Sequence, residues 1–401
     1  MSDGSSGVHR RRLLAVGWWR AGTGLTRVAA ELWSRLAKRW EIHYAGIGYD
    51  GPVREESGWT LYPTDYRTRD AFGAHRAAEL VGTIQPDIVL AFNDLWFLDA
   101  YRRVIRAVSK DVRLVAYLPL DGEFERVEDA APLAGYDGVI VYTHWALDEV
   151  QRSLQSLDPD RRQMTAAVGH GLDSSIFCSL PEGRAELREE LFPDLGDPAA
   201  AFIALNASRP SPRKDIAVTI EGFARFLATL DEPARRNAFL CLHQALAGQV
   251  HRDELSAMID GLGIGAHVLT PFGQVVDSRR LNVLYNACDV GINTSTGEGW
   301  GLVSLEHAAT GATQIVPDHS ACRELWRHHG ILVPAMPFRP SYTPLRMARV
   351  SAAGVADALH EAHRRWRARV VPALPPAASM TWDAVADRFS SALDEALSQR
   401  A

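Results

Sequence analysis

The sequence predicts an α/β fold of two doubly wound, parallel-sheet domains, and three observations carry that expectation. Short buried apolar runs alternate with helical patterns along the chain, starting with Leu13-Leu14-Ala15-Val16-Gly17, a glycine-bearing loop and a helical stretch from Leu25 to Trp40. A polar, acidic, proline-bearing stretch from Leu180 to Ala200 interrupts the chain, and a fresh strand, loop and helix follow it. At 401 residues, 47% hydrophobic and 23% charged, the chain has enough apolar surface for two cores of ordinary size.

In the first domain, placed at 1–180, further strands are expected at Glu41 to Gly46, Ile88 to Phe92, Arg113 to Tyr117 and Gly138 to Tyr142. Helices are expected near Ala71 to Ile84, Leu98 to Ser109 and Leu147 to Leu157. Ligands of open parallel sheets sit beyond the carboxyl ends of the strands. That rule puts the loops at Asn93-Asp94-Leu95-Trp96, Leu118 to Glu123 and Thr143-His144 along one edge, as acceptor-side candidates. Asp121, between a strand end and Gly122, is aimed at that edge; an ordinary turn aspartate reads the same way. Trp18, Trp19, Trp96 and Trp145 offer rings on which a substrate would stack, and core tryptophans fit equally well. The Gly22-x-Gly24 loop lacks the third glycine of a dinucleotide site. The helix after it sets Val28, Leu32, Leu36 and Trp40 beside Arg27, Arg35, Lys38 and Arg39, a pattern that suits packing on its own sheet and also a peripheral membrane helix.

The second domain, placed at 200–379, opens on the strand Ala201 to Asn206. It continues through the cation-bearing loop Ala207 to Asp215 into a helix from Ile216 to Leu230. Arg213 in that loop reads as a solvated cation. Strands at Phe239 to His243 and His267 to Leu269, a helix at Ser278 to Ala287, and a strand at Gln314 to Pro317 follow. Pro334 to Pro344 is expected to be an irregular loop, Val355 to Val370 a helix and Trp382 to Leu397 a final amphipathic helix.

The chemistry concentrates in one stretch. Cys288 to Ile292 reads as a buried strand, Asn293 to Gly297 as turn and cap residues, and Glu298-Gly299-Trp300-Gly301-Leu302 as a glycine turn entering a helix. Unpaired amides and the dipole at such a helix start favour a diphosphate. Glu306 shares a face with Leu302, one turn further in, about where a ribose would lie. Two glutamates with seven residues between them, an internal Gly-x-Gly-Leu and a closing Ala-x-x-Gly resemble the E-x7-E signature of retaining GT-B glycosyltransferases, group 1 and family 4-like.

The resemblance implies two Rossmann-like domains facing a cleft, with the last helix (380–401) crossing back onto the first. It implies that Arg209 and Lys214 clamp the donor diphosphate, that Glu298 contacts the donor sugar and that Glu306 holds the ribose. Thr270 to Val275 would be the nucleobase loop, with Phe272, Gln274 and Val275 near the base. The Gly24 loop and Gly299, Trp300, Gly301 and Leu302 would face the donor. Pro119-Leu120-Asp121-Gly122 is similar to a Pro-x-Asp-Gly turn of one branch. Val168 to Asp173 is similar to the His-Gly-x-Asp turn closing the first domain. Acceptor contacts are accordingly expected from Trp18, Trp19, Asn93, Asp121, His144 and His170, and catalytic roles for Glu298, Arg209, Lys214 and Asp121. Glu324 echoes an acidic position of the family, and a helix-start glutamate explains it equally well.

Other chemistries fit less well. The formal charge of −6 disfavours a general nucleic-acid binder. Cys178, Cys241, Cys288 and Cys322 are widely spaced, with no disulfide framework or zinc knuckle, as in a reducing cytoplasm. Met1 to Arg12 is polar then basic, and the apolar run after it is too short for a signal core or a membrane span. Asp158-Pro159-Asp160 is formally a D-x-D motif but reads as a turn, so neither a catalytic metal nor a cofactor is expected. Two carboxylates in one turn cannot flank a scissile bond as in a glycoside hydrolase, and no serine elbow or P-loop lysine is present. The expected activity is metal-independent, retaining transfer from a nucleotide-sugar, UDP before GDP, to a hydroxyl of a small sugar, aminocyclitol or natural product. A lipid-linked acceptor at a membrane surface, or a nucleotide-sugar epimerase of the same fold, are the alternatives.

Overall fold

The computed structural model describes residues 10–64, 70–160, 162–244 and 248–399. Most of the N-terminal stretch read above as polar and basic, residues 1–9, lies outside the described residues.

The first sheet holds β1 (Arg11–Trp18), β2 (Trp40–Ile47), β3 (Arg54–Glu56), β4 (Trp59–Pro63), β5 (Ile88–Phe92), β6 (Arg113–Leu118), β8 (Gly138–Val141) and β9 (Met164–Ala167), while β7 (Glu123–Phe124) lies outside it. The order is β3-β4-β2-β1-β5-β6-β8-β9, parallel except for the β3–β4 pair. The helices α1 (Gly24–Leu36), α2 (Ala74–Ile84), α3 (Leu95–Val108) and α4 (His144–Leu157) connect the strands. Alternation along β1 divides the core: Leu13 and Ala15 face α1, whereas Leu14 and Val16 face α2 and α3. With both faces covered, the central strands read as unbroken apolar runs, which is why they were legible.

The second sheet has the order β12-β11-β10-β13-β14-β15, all parallel. Its strands are β10 (Phe202–Asn206), β11 (Ala238–Leu242), β12 (Val268–Leu269), β13 (Val290–Ile292), β14 (Thr313–Pro317) and β15 (Ile331–Val333). The helices here are α5 (Arg184–Leu191), α6 (Ile216–Ala228), α7 (Glu232–Arg236), α8 (Gln249–Gly261), α9 (Ser278–Ala287), α10 (Leu302–Ala308), α11 (Ser320–Trp326) and α12 (Ala352–Arg367). The last helix, α13 (Trp382–Ser398), packs Val385, Phe389 and Leu393 into the core of the first domain, and Ser390 accepts a hydrogen bond from the Trp40 indole at 3.0 Å.

Three expectations are corrected. The stretch from Leu180 to Ala200 is not a free linker: it contains α5, whose Leu187 and Leu191 share a face and pack on the second domain. Arg188 of that helix is buried and donates to the Asp289 carboxylate at 2.7 Å, so its charge disguised a packed helix as solvated chain. Pro334 to Pro344 is no irregular loop at its start. Strand β16 (Ala335–Phe338) pairs antiparallel with β17 (Leu345–Val350), and Pro337 is tolerated because β16 is an edge strand. Strand β17 also pairs with β7, Leu345 opposite Phe124 and Arg346 opposite Glu123, so a three-stranded ribbon joins the two domains through main-chain bonds. Finally, Glu324 serves another helix than its own. Its two carboxylate oxygens accept from the amides of His144 (3.1 Å) and Trp145 (2.6 Å), capping the positive end of α4 across the domain boundary.

Candidate active site

The carboxyl ends of the two sheets face each other across a cleft of about 620 Å³. On the second domain, Asn293 closes its turn by accepting from the Ser295 amide at 2.9 Å. The Thr294 hydroxyl donates to the Lys214 carbonyl at 3.0 Å, and the Thr296 amide to the Arg213 carbonyl at 2.8 Å. The loop after β10 and the turn after β13 are thereby zipped together, and the cations of one face the carboxylate of the other. Lys214 Nζ donates to Glu298 Oε2 at 2.5 Å, and Arg213 lies 3.8 Å from Glu298 Oε1. Burial would push the Glu298 carboxyl up, but Lys214 and then Arg213 outweigh it and hold the pKa at about 2. Burial in turn pulls the Lys214 ammonium down, against the opposing effect of Glu298.

Gly297 meets the first domain so closely that a Cβ there would lie 2.5 Å from the Asp121 carbonyl oxygen. Gly301 turns the chain into α10 with φ +93°, a left-handed conformation that other residues adopt only with strain. Opposite, Thr23 caps α1 by accepting from the Thr26 amide at 3.4 Å. A Cβ on Gly24 would sit 3.4 Å from Leu302 Cδ1, so the amino ends of α1 and α10 converge on one place. Both helix dipoles favour negative charge there.

Arg209 lines this cleft as an exposed side chain, beside Arg20. Burial lowers its pKa first, and repulsion from Arg213 and Arg20 adds to that, while Asp94 opposes it. Glu306 lines the cleft too, but it is not a free carboxylate: it is buried, paired with Arg27 of α1, and accepts from the Tyr285 hydroxyl at 3.2 Å.

Arg213 is not the solvated cation expected. Its Nε lies 3.1 Å from Asp121 Oδ2 of the first domain and its Nη1 donates to the Gly297 carbonyl, so one guanidinium bridges the halves of the site. Only the packing of the short 3-10 turn at Pro212–Lys214 decides that this arginine points inward. Asp121 does face the cleft; burial raises its carboxyl, and Arg213 pulls against that.

The remaining candidates divide. Trp18 and His170 line the cleft, whereas Trp19 packs edge-on against Tyr44 and Trp59. Asn93 is buried and spent on the Tyr101 hydroxyl at 2.9 Å, and His144 is an exposed first residue of α4 away from the cleft lining. The His170 ring is enclosed by Tyr142, Trp300 and Trp382, and burial drives its pKa down to about 3. It is therefore neutral at working pH, accepting from or donating to the Tyr117 hydroxyl at 3.1 Å. Trp300 lines the cleft, and its indole packs on His170 and Gly169 of the first domain, because the glycine leaves it room.

In the expected base loop only Val275 of the three named residues lines the cleft, touching Gly22 on the other side. Phe272 turns away beneath the Arg280 guanidinium, 5.3 Å from its ring centre, and Gln274 is exposed outside the lining. Trp145 packs against the first-domain core. Asp158 ends α4 and accepts from the Asp160 amide, so the D-x-D segment is a turn.

Two functional-looking groups escaped the sequence reading. Arg27 looked like one more charge beside an apolar stripe; its partner is 279 residues away. Asp94 was part of a cleft-edge loop but not singled out. It precedes α3 without capping it, and burial, then Asp121, raises its carboxyl to about 7.

Residues 188–336 match the family model of glycosyl transferases group 1. Among solved structures, the chain is similar to Anabaena HepE in complex with UDP-glucose, at 16% identity over 96% of this chain and 99% of that one, with a TM-score of 0.67. It is similar to the sucrose-phosphate synthase of Thermosynechococcus elongatus, at 16% identity over 97% and 100%, with a TM-score of 0.69. A UDP-forming α,α-trehalose-phosphate synthase from Burkholderia xenovorans matches at 13% identity over 98% and 100%, with a TM-score of 0.70. No curated protein matches the chain in sequence. The fold of the whole is thus that of these GT-B structures, and residues 188–336 carry the match to the glycosyl transferases group 1 model.

Proposed function

We propose that the protein is a retaining, metal-independent glycosyltransferase that moves a sugar from a UDP-sugar to a hydroxyl of a small acceptor. The observation that carries this reading is the cluster of Glu298, Lys214 and Arg213, with Arg209 beside it, facing two converging helix amino ends. The UDP named for HepE and for the trehalose-phosphate synthase supports UDP over GDP.

In this reading Arg209, Lys214 and the first amides of α10 take the leaving diphosphate, where charge grows as the sugar bond breaks. Glu298 contacts the donor sugar. Glu306 receives the ribose hydroxyls, which requires sharing it with Arg27. The bond from the anomeric carbon to the diphosphate oxygen breaks, and the acceptor oxygen bonds the same carbon from the same face. The acceptor proton passes to an oxygen of the departing diphosphate. Enzyme activity assays with and without a chelator, and NMR of the product's anomeric linkage, test this. An inverted linkage, loss of turnover on chelation, or a trapped glycosyl-enzyme adduct would each overturn the corresponding part.

The lipid-acceptor alternative loses its support in α1. Arg27 pairs with Glu306, Arg35 with Glu31, and Lys38 and Arg39 lie against Asp383 and Asp387 of α13. Among the described residues no helix is long and apolar enough to cross a membrane. The epimerase alternative is separated by incubation with UDP-sugar alone, which an epimerase converts and a transferase leaves largely intact.

A further inference from the structure

The ionised side chains of the cleft fall into pairs with a remainder. Arg213 is matched by Asp121, Lys214 by Glu298 and Arg27 by Glu306. Arg20, Arg209 and Asp94 also line the cleft, and among the described residues none of these three side chains has a hydrogen bond or salt bridge. On the reading above, a bound diphosphate engages Arg209, and the same negative charge draws the neighbouring Arg20. Asp94 is then the one cleft carboxylate with no cation in ion-pair contact, on the first-domain side, where burial outweighs the more distant pull of Arg213 and Arg209 and raises its pKa to about 7. A carboxylate so placed gains most from a ligand that brings a positive charge to it.

The walls around Asp94 have the matching apolar character. Trp18 and Trp96 both line this end of the cleft. They are linked by a run of rings: Trp18 meets Phe72 edge-on at 6.3 Å, Phe72 lies 3.9 Å from Phe97, and Phe97 meets Trp96 at 5.9 Å. Trp96 keeps 44% of its surface exposed, leaving an aromatic face available for stacking. Aromatic faces also attract an ammonium group.

We propose that Asp94 selects the acceptor, and that the acceptor is a sugar or cyclitol carrying an amino group, held with its ammonium on Asp94 and its ring against Trp18 and Trp96. This rests on the transferase reading, since it presumes a diphosphate on Arg209. It makes Asp94 a binding residue, with the transferring hydroxyl on another carbon of the same ring.

The test is calorimetric titration of the full chain saturated with UDP, using matched pairs: glucosamine against glucose, and 2-deoxystreptamine against scyllo-inositol, with glucose 6-phosphate as an anionic comparison. The amines are expected to bind about ten-fold or more tightly than their hydroxyl partners. Asp94→Asn should abolish that preference while UDP affinity and the circular dichroism spectrum stay as in the wild type. Equal binding within the pairs, tighter binding of glucose 6-phosphate, or a preference that survives Asp94→Asn would overturn the proposal alone. Failure of UDP itself to bind would overturn the transferase reading together with it.

Discussion

Glu298 and Asp94 are two carboxylates of one cleft displaced in opposite directions, and the difference lies in who faces them. Glu298 is held at about 2 by Lys214 and Arg213 in spite of burial. Its folded pKa is depressed, so its contribution to stability is present above its unfolded value near 4.5 and is lost as pH falls towards 2. Glu298→Gln leaves Lys214 without its counter-charge; we expect a loss of about 3 kcal/mol at pH 7 and of transfer by ~100-fold or more, read by denaturant melts and product assays. Turnover intact in that variant would remove Glu298 from the chemistry. Asp94 runs the other way: its folded pKa is raised to about 7, so stability falls as pH rises from about 4 to 7 and the loss is complete above that. Asp94→Asn should therefore raise the melting temperature at pH 8 and leave it nearly unchanged at pH 4. A gain that is equal at both pH values would show that the carboxyl is not strained by its charge.

At the scale of elements, the site is made by loops after strands meeting the starts of helices. The turn after β13 works because Gly301 takes a left-handed conformation before α10. Gly301→Ala should cost about 1–2 kcal/mol and weaken UDP binding, since the first-turn amides of α10 would shift. A thermal-shift series with UDP, GDP, ADP and TDP reads both, because a ligand of the native state raises the melting temperature with its affinity. An unaltered response to UDP would mean that those amides do not hold the diphosphate. Helix α1 is the second such element: its apolar stripe was legible from spacing, yet the partners that Arg27 finds on α10 and Arg35 on α13 were not, because they come from distant parts of the chain.

For the whole molecule, the cleft is spanned by more than a hinge. The β7–β17 pairing, the Arg213–Asp121 and Arg27–Glu306 ion pairs, and Glu324 on the amides of α4 all join the domains. Glu324→Ala should lower stability by about 1 kcal/mol, as the loss of a helix cap does, and widen the spread of domain orientations seen by small-angle scattering. Identical scattering curves would show that the remaining ties suffice. Local pattern was enough for the doubly wound class and the glycine turn before α10, because strands buried on both faces and glycine turns leave signatures within a few residues. Helix α5 and the β16–β17 hairpin did not, since polar and proline-rich stretches become packed only when a partner such as Asp289 or β7 is supplied from elsewhere. The sequence by itself determined which residues could carry charge to the cleft. Only the tertiary structure decided that Arg213 faces inward, that Arg27 occupies Glu306 and that Asp94 is left without an ion-pair contact, because ion pairing between residues distant along the chain follows from how two domains meet and not from spacing within either.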